Sequence, residues 1–170
     1  RQTLLFSATL DEERVGAITD LVHEPARVEI APVTSTADTV DQYAVPVSMD
    51  EKNALLAEVL KKEGPERVIV FVRTKRRADT CVRRLARSGF KCEAIHGDRS
   101  QGQRQRALAA FRDGRVQVLV ATDVLARGID VSDVRYVINF DVPEEPTDYI
   151  HRIGRTGRAG EEGWSLTFVT

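Results

Sequence analysis

The sequence predicts an α/β domain built on a mainly parallel, twisted sheet with helices on both faces. Two observations lead there. From position 43 onward, strand-like apolar runs alternate with helical segments, which implies right-handed βαβ units and parallel strands. The run Val68-Ile69-Val70-Phe71-Val72 is unbroken by any polar residue, as expected of a central strand covered by helices on both sides.

The bulk properties agree. The chain has 170 residues, enough for one full domain with a core. Hydrophobic residues make up 42% and charged residues 30%, which suits a soluble globular protein. No apolar run approaches a membrane span and no signal peptide is visible, so no membrane partner is expected. Cys81 and Cys92 show no metal-ligand spacing, so no metal site is expected and a reducing, cytoplasmic setting is the simple reading. With a net charge of -1, any nucleic-acid binding must come from a local patch. The chain starts at Arg1 without an initiator methionine and stops at Thr170 inside a strand-like run, so it reads as a piece of a longer protein.

In chain order, Thr3-Leu4-Leu5-Phe6 reads as a strand. Thr9 with Glu12 forms a capping box, and Val15, Ile18, Leu21 and Val22 have helical spacing closed by Pro25. Ala26 to Ile30 is a possible strand. Residues 31–42 are rich in Pro, Thr, Ser and Asp and read as a linker, which separates residues 1–30 from a domain over 43–170. In that domain Tyr43 to Ser48 reads as a strand. Asp50 would cap a helix burying Leu55, Leu56, Val59 and Leu60. After the central strand comes a basic helix from Lys75 to Arg87, with Ala78, Val82 and Leu85 inward and Gly89 as its stop. Lys91 to Ile95 is the next strand, and Ser100 caps a helix burying Ala107, Leu108 and Phe111. Val116 to Ala121 and Val134 to Phe140 are further strands. Thr147 would cap a last helix, and Trp164 to Val169 is the last strand.

That last helix leads into His151-Arg152-Ile153-Gly154-Arg155-Thr156-Gly157-Arg158. If helical throughout, it would carry His151, Gly154, Arg155 and Arg158 on one face. Helix-interior glycines cost about 1 kcal/mol each against alanine. Close approach of a phosphate chain is one reason for them; a helix ending at Gly157 is the plain one. Ligands of open parallel sheets bind at the carboxyl ends of the strands, where polar residues collect here: Arg73-Thr74-Lys75, His96-Gly97-Asp98, Thr122-Asp123, Arg127-Gly128-Ile129-Asp130 and Asp141.

Ser7-Ala8-Thr9, Arg73-Thr74-Lys75, Gln101-x-x-Arg104, Ala121-Thr122-Asp123-x-x-x-Arg127-Gly128-Ile129-Asp130 and His151–Arg158 stand in order along the chain. Together they resemble the second half of a DEAD-box ATP-dependent RNA helicase of superfamily 2, over the whole length of the sequence. The resemblance implies that residues 1–30 end the first RecA-like lobe, 31–42 link the lobes, and 43–170 form the second lobe. It implies that Arg155 and Arg158 are arginine fingers toward ATP on the first lobe; such a finger is worth about 10³–10⁵ in rate. Gly128 and Asp130 would meet the nucleotide, Asp130 through a ribose hydroxyl. Ser7, Thr9 and His151 would couple nucleotide state to lobe closure, although Thr9 also serves as the helix cap. Arg73, Thr74, Gly97, Gln101, Arg104, Thr122 and Asp123 would bind RNA through its backbone, without base readout.

The implied ligands are ATP with Mg²⁺, held mainly by the first lobe, and the implied partners are RNA and that lobe. Neither a G-x-x-x-x-G-K-[ST] loop nor an Asp-Glu-Ala-Asp motif occurs in the chain, so it is expected to be inactive by itself. A DNA-directed helicase or translocase lobe and a non-catalytic RNA-binding module are the competing readings. Residues 3–6, an apolar strand without its sheet, are expected to promote self-association. The arginines of the basic helix (Arg76, Arg77, Arg83, Arg84 and Arg87) ordinarily form a solvated face.

Overall fold

The computed structural model describes residues 40–123, 131, 134–157 and 162–170. The chain divides after Pro32, within the stretch read as linker. The readings for residues 1–30, including the 3–6 segment, lie outside the described residues. The described elements run β1 (Val40–Pro46), α1 (Lys52–Glu63), β2 (Val68–Phe71), α2 (Lys75–Arg87), β3 (Cys92–Ile95), α3 (Gln101–Arg112), β4 (Val118–Ala121), β5 (Tyr136–Asn139), α4 (Pro146–Ile153) and β6 (Gly163–Val169). The strands form one sheet in the order β1-β6-β5-β2-β4-β3. Every pairing is parallel, so the expected mainly parallel sheet is wholly parallel among the described residues. β1 begins at Val40, inside the expected linker.

Alternation along the strands builds two cores. Val68, Val70, Val118, Val120 and Ile138 face Leu56 and Leu60 of α1 and Ala78, Cys81 and Leu85 of α2. Ile69, Phe71, Leu119, Ala121 and Val137 face Ala107, Leu108 and Phe111 of α3. All four residues of β2 and of β4 are buried, which is why these strands read as unbroken apolar runs.

Helix starts followed local chemistry in two cases and departed from it in two. Thr74 accepts from the Arg77 amide at the start of α2, and Ser100 and Gln103 form a full capping box on α3. Gly89, at φ 88°, lets the chain turn after α2 as expected. Asp50 is not the cap of α1, however. Glu51 holds that position without a side-chain cap bond, and the Ser48 carbonyl accepts from the Glu51 and Lys52 amides instead. Nor does Thr147 cap α4. Glu145 occupies the cap position and Pro146 the first turn, where proline's fixed φ and missing N–H are no handicap.

The connection after β2 runs toward β3 and that after β5 runs toward β6, so the chain switches direction between two neighbouring strands. That is where open α/β sheets place their ligand crevices. Here it is closed by the protein's own groups. The buried Asp141 carboxylate accepts from the Arg73 amide at 2.8 Å and from the Arg77 guanidinium. The buried Lys52 ammonium lies 3.7 Å away and donates to the Phe140 carbonyl.

Candidate nucleic-acid and nucleotide interface

The open concavity lies one strand over. A cavity of about 510 Å³ at the carboxyl ends of β2 and β4 is lined by Arg73, Thr74, Lys75, Arg76, Thr122 and Asp123. The topology brings these two turns together because β2 and β4 pair directly, Phe71 opposite Ala121. Thr74 spends its hydroxyl on the helix cap. Arg73 is exposed and reaches the Val142 carbonyl at 3.3 Å and Glu144 at 3.8 Å. Lys75 pairs with Asp98 at 2.5 Å; the hydrogen bond from Lys75 holds the Asp98 carboxyl below its usual range. That pair crosses from α2 to the turn after β3. It also lays the Lys75 stem 3.4 Å from where a Cβ on Gly97 would sit, so this lysine flanks the exposed glycine expected to admit a strand.

The same turn is braced from below. Asp79 of α2 accepts from Arg99 at 3.0 Å and lies 3.1 Å from Nε2 of the buried His96. Arg104 donates to the Arg99 carbonyl at 3.0 Å, holding the start of α3 against it. Gln101 is the exposed first residue of that helix.

Thr122 is buried and Asp123 partly so. Asp123 is engaged: its two carboxylate oxygens accept from Nε and Nη2 of Arg152 at 2.6 and 2.9 Å. Arg152 is only 1% exposed. It also donates to the Asp141 carbonyl at 2.7 Å and lies over the Phe71 ring, 5.2 Å from its centroid. Asn139, beside it, donates to Thr167 on β6 at 3.1 Å. One guanidinium therefore ties the end of β4 to the end of β5 and to α4. Such a bidentate charge-assisted pair fixes geometry as well as contributing energy.

α4 stops at Ile153, with Gly154 as its cap residue, so His151, Gly154 and Arg155 do not share the expected helical face. His151 is helical, whereas Arg155 lies in the turn beyond. Nδ1 of His151 is buried without a hydrogen-bond partner among the described residues. Arg155 donates to the His151 carbonyl at 3.3 Å. Thr156 is buried and donates its hydroxyl to the Val134 and Arg135 carbonyls. Gly157 has φ 65°, which favours glycine. Ser7, Thr9, Gly128, Asp130 and Arg158 lie outside the described residues.

The helicase conserved C-terminal domain family matches residues 51–160. The C-terminal domain of the DEAD-box protein Dbp5 superimposes with a TM-score of 0.73 at 38% identity, covering 78% of each chain. The chain belongs to the DEAD-box helicase C-terminal domains. S. cerevisiae Dbp5 bound to RNA and ADP BeF3 superimposes with a TM-score of 0.82 at 34% identity, over 96% of this chain and 44% of that one. The ATP-dependent RNA helicase CshA of Listeria monocytogenes is 47% identical over 99% of this chain and 32% of its own length. The DEAD-box ATP-dependent RNA helicase CshA of Bacillus subtilis is 45% identical over 99% of this chain and 34% of its own. The chain thus spans about a third of the length of the curated relatives it matches.

Two residues of this DEAD-box domain that matter to the site were not singled out from sequence. Arg152 sits inside the quoted motif, and its i, i+4 spacing from Asp148, also buried, was the available signal. Gly163 carried no signal. A Cβ there would lie 2.3 Å from Thr156 Oγ1 and 2.4 Å from the Gly157 amide, so β6 can pass the Arg155 turn only as glycine. Among the described residues no group of three His, Cys, Asp or Glu side chains could hold a metal ion.

Proposed function

We propose that the chain is the second RecA-like lobe of a two-lobed, cytoplasmic, ATP-dependent RNA helicase. In this reading it supplies Arg155 and Arg158 to ATP bound on the other lobe and carries a backbone-directed RNA surface. One observation carries the reading: Arg152 joins the cavity at the ends of β2 and β4 to the helix that precedes Arg155. A ligand in that cavity and a phosphate near Arg155 would thus act on one braced unit. RNA suits the cavity because the exposed guanidiniums of Arg73 and Arg76 line it, and such groups meet phosphate oxygens. Arginine suits the nucleotide side because it is always charged and meets phosphate in a fork.

The unsatisfied Nδ1 of His151 supports a role in contact with the first lobe, where Ser7 and Thr9 would be its neighbours. Gly128 and Asp130 would complete the nucleotide contact, and the other lobe would hold Mg²⁺. The free thiols Cys81 and Cys92 accord with a reducing compartment. In the full-length protein, Arg155→Ala and Arg158→Ala should each lower RNA-stimulated ATP turnover by about 10³–10⁵. Steady-state phosphate release measures this, and turnover within a few-fold of wild type would refute the finger assignment.

A further inference from the structure

We propose that the outer face of α2 is a second phosphate-binding surface, over which an RNA strand continues after leaving the cavity at the sheet edge. The proposal rests on the RNA reading of that cavity. A groove of about 300 Å³ runs beside α2, lined among others by Met49, Asn53, Thr74, Arg76, Arg77 and Arg84. It shares Thr74 and Arg76 with the edge cavity, so the two concavities are contiguous.

Arg76, Thr80 and Arg84 stand at i, i+4 and i+8 on one ridge of the helix, about 12 Å long at 1.5 Å per residue. Four of the six cations of α2 fall into two groups. Arg77 is neutralised by Asp141, and Lys75 by Asp98. Arg76 and Arg84 are exposed and make no side-chain ion pair or hydrogen bond among the described residues. The acid of the helix, Asp79, is engaged by Arg99 and His96, and no acidic side chain lines the groove. In a chain of net charge -1, two uncompensated guanidiniums beside amide and hydroxyl side chains form a local anion-binding track.

The track favours a polynucleotide over an acidic peptide because it is continuous with the edge cavity. It favours backbone contacts because guanidinium, amide and hydroxyl groups meet phosphate and ribose without base readout.

The test uses full-length protein with an ATP analogue and labelled RNA strands of about 5 and about 15 nucleotides, titrated across salt. Arg84→Gln should weaken binding of the longer strand and lower its slope of log affinity against log salt by about 0.7, the share of one released phosphate. Arg84→Lys should restore the slope, since it restores the charge. Arg115→Gln, the same charge change on another exposed arginine, serves as the control.

An unchanged slope for the longer strand overturns the proposal, as does an equal loss on both strands, which would put Arg84 at the edge cavity itself. A polyglutamate peptide that binds more tightly than RNA and depends on Arg84 also overturns it. Failure of the underlying edge reading looks different: wild-type protein then binds neither strand, and both proposals fall together.

Discussion

Within one helical turn, Ile150 and Arg152 take places opposite to those their hydropathy assigns. Ile150 is 54% exposed and Arg152 is 1% exposed. An unpaired guanidinium could not be buried this way, since an isolated buried charge costs far more than a fold can spare. Asp123, the Asp141 carbonyl and Asn139 surround it, with the Phe71 face below. Arg152→Lys keeps the charge but loses the fork. It should destabilise the chain by about 1–3 kcal/mol, the cost of leaving buried acceptors without their hydrogen bonds, as read by urea unfolding. A loss under about 1 kcal/mol would mean that the pair behaves as a surface ion pair. Asp141 poses the converse problem, one carboxylate facing two cations. Burial holds the Lys52 ammonium below its usual range despite the attraction of Asp141.

At the scale of elements, the turn after α4 is held less by its own residues than by β6. Gly163→Ala would drive a Cβ into the Thr156 hydroxyl and the Gly157 backbone. A side-chain tip could move aside, but the backbone amide cannot without shifting the turn that carries Arg155. The expected cost is about 1–3 kcal/mol, or roughly 2–4 °C in melting temperature per kcal/mol, with a parallel loss of ATP turnover in the full-length protein. Gly102→Ala supplies the contrast. A Cβ there meets nothing within 4 Å, and helix propensity alone should stabilise α3 by about 1 kcal/mol or less. Equal melting temperatures for the two variants would contradict the packing account.

At the scale of the whole molecule, pH provides a readout of core integrity. Burial pushes the Cys81 thiol up to about 12, from 9.0, and the Cys92 thiol up to about 11. Between those values and 9.0 the folded chain keeps protons that the unfolded chain releases. Stability is therefore full below about pH 9 and falls as pH rises, by about 1.4 kcal/mol per pH unit for each thiol. Lys52 works the other way: its lowered pKa adds stability as pH climbs toward 10.5. Urea midpoints between about pH 8 and 11 should fall, and Cys81→Ala should make the fall shallower. A Cys81→Ala variant whose midpoint falls as steeply as wild type would show the Cys81 thiol to be no more buried in the folded chain than in the unfolded one.

The architecture was legible because it depends on local patterns. Unbroken apolar runs marked β2 and β4, and α2 runs from Lys75 to Arg87 with Gly89 beyond its end, as read, because helix periodicity and left-handed turns are local chemistry. Strand ends likewise brought Arg73, Thr74, Thr122 and Asp123 to one sheet edge, and motif spacing, through resemblance, named the family. Tertiary structure alone decided their states. Thr74 is a cap, Asp123 is the partner of Arg152, Gly97 lies beside Lys75, and Asp141 closes the crevice at the switch point. Each of these depends on pairing between strands distant in sequence, β2 with β4 and β5. The partners of a buried charge are set by strand order, and no local pattern encodes which strand ends become neighbours.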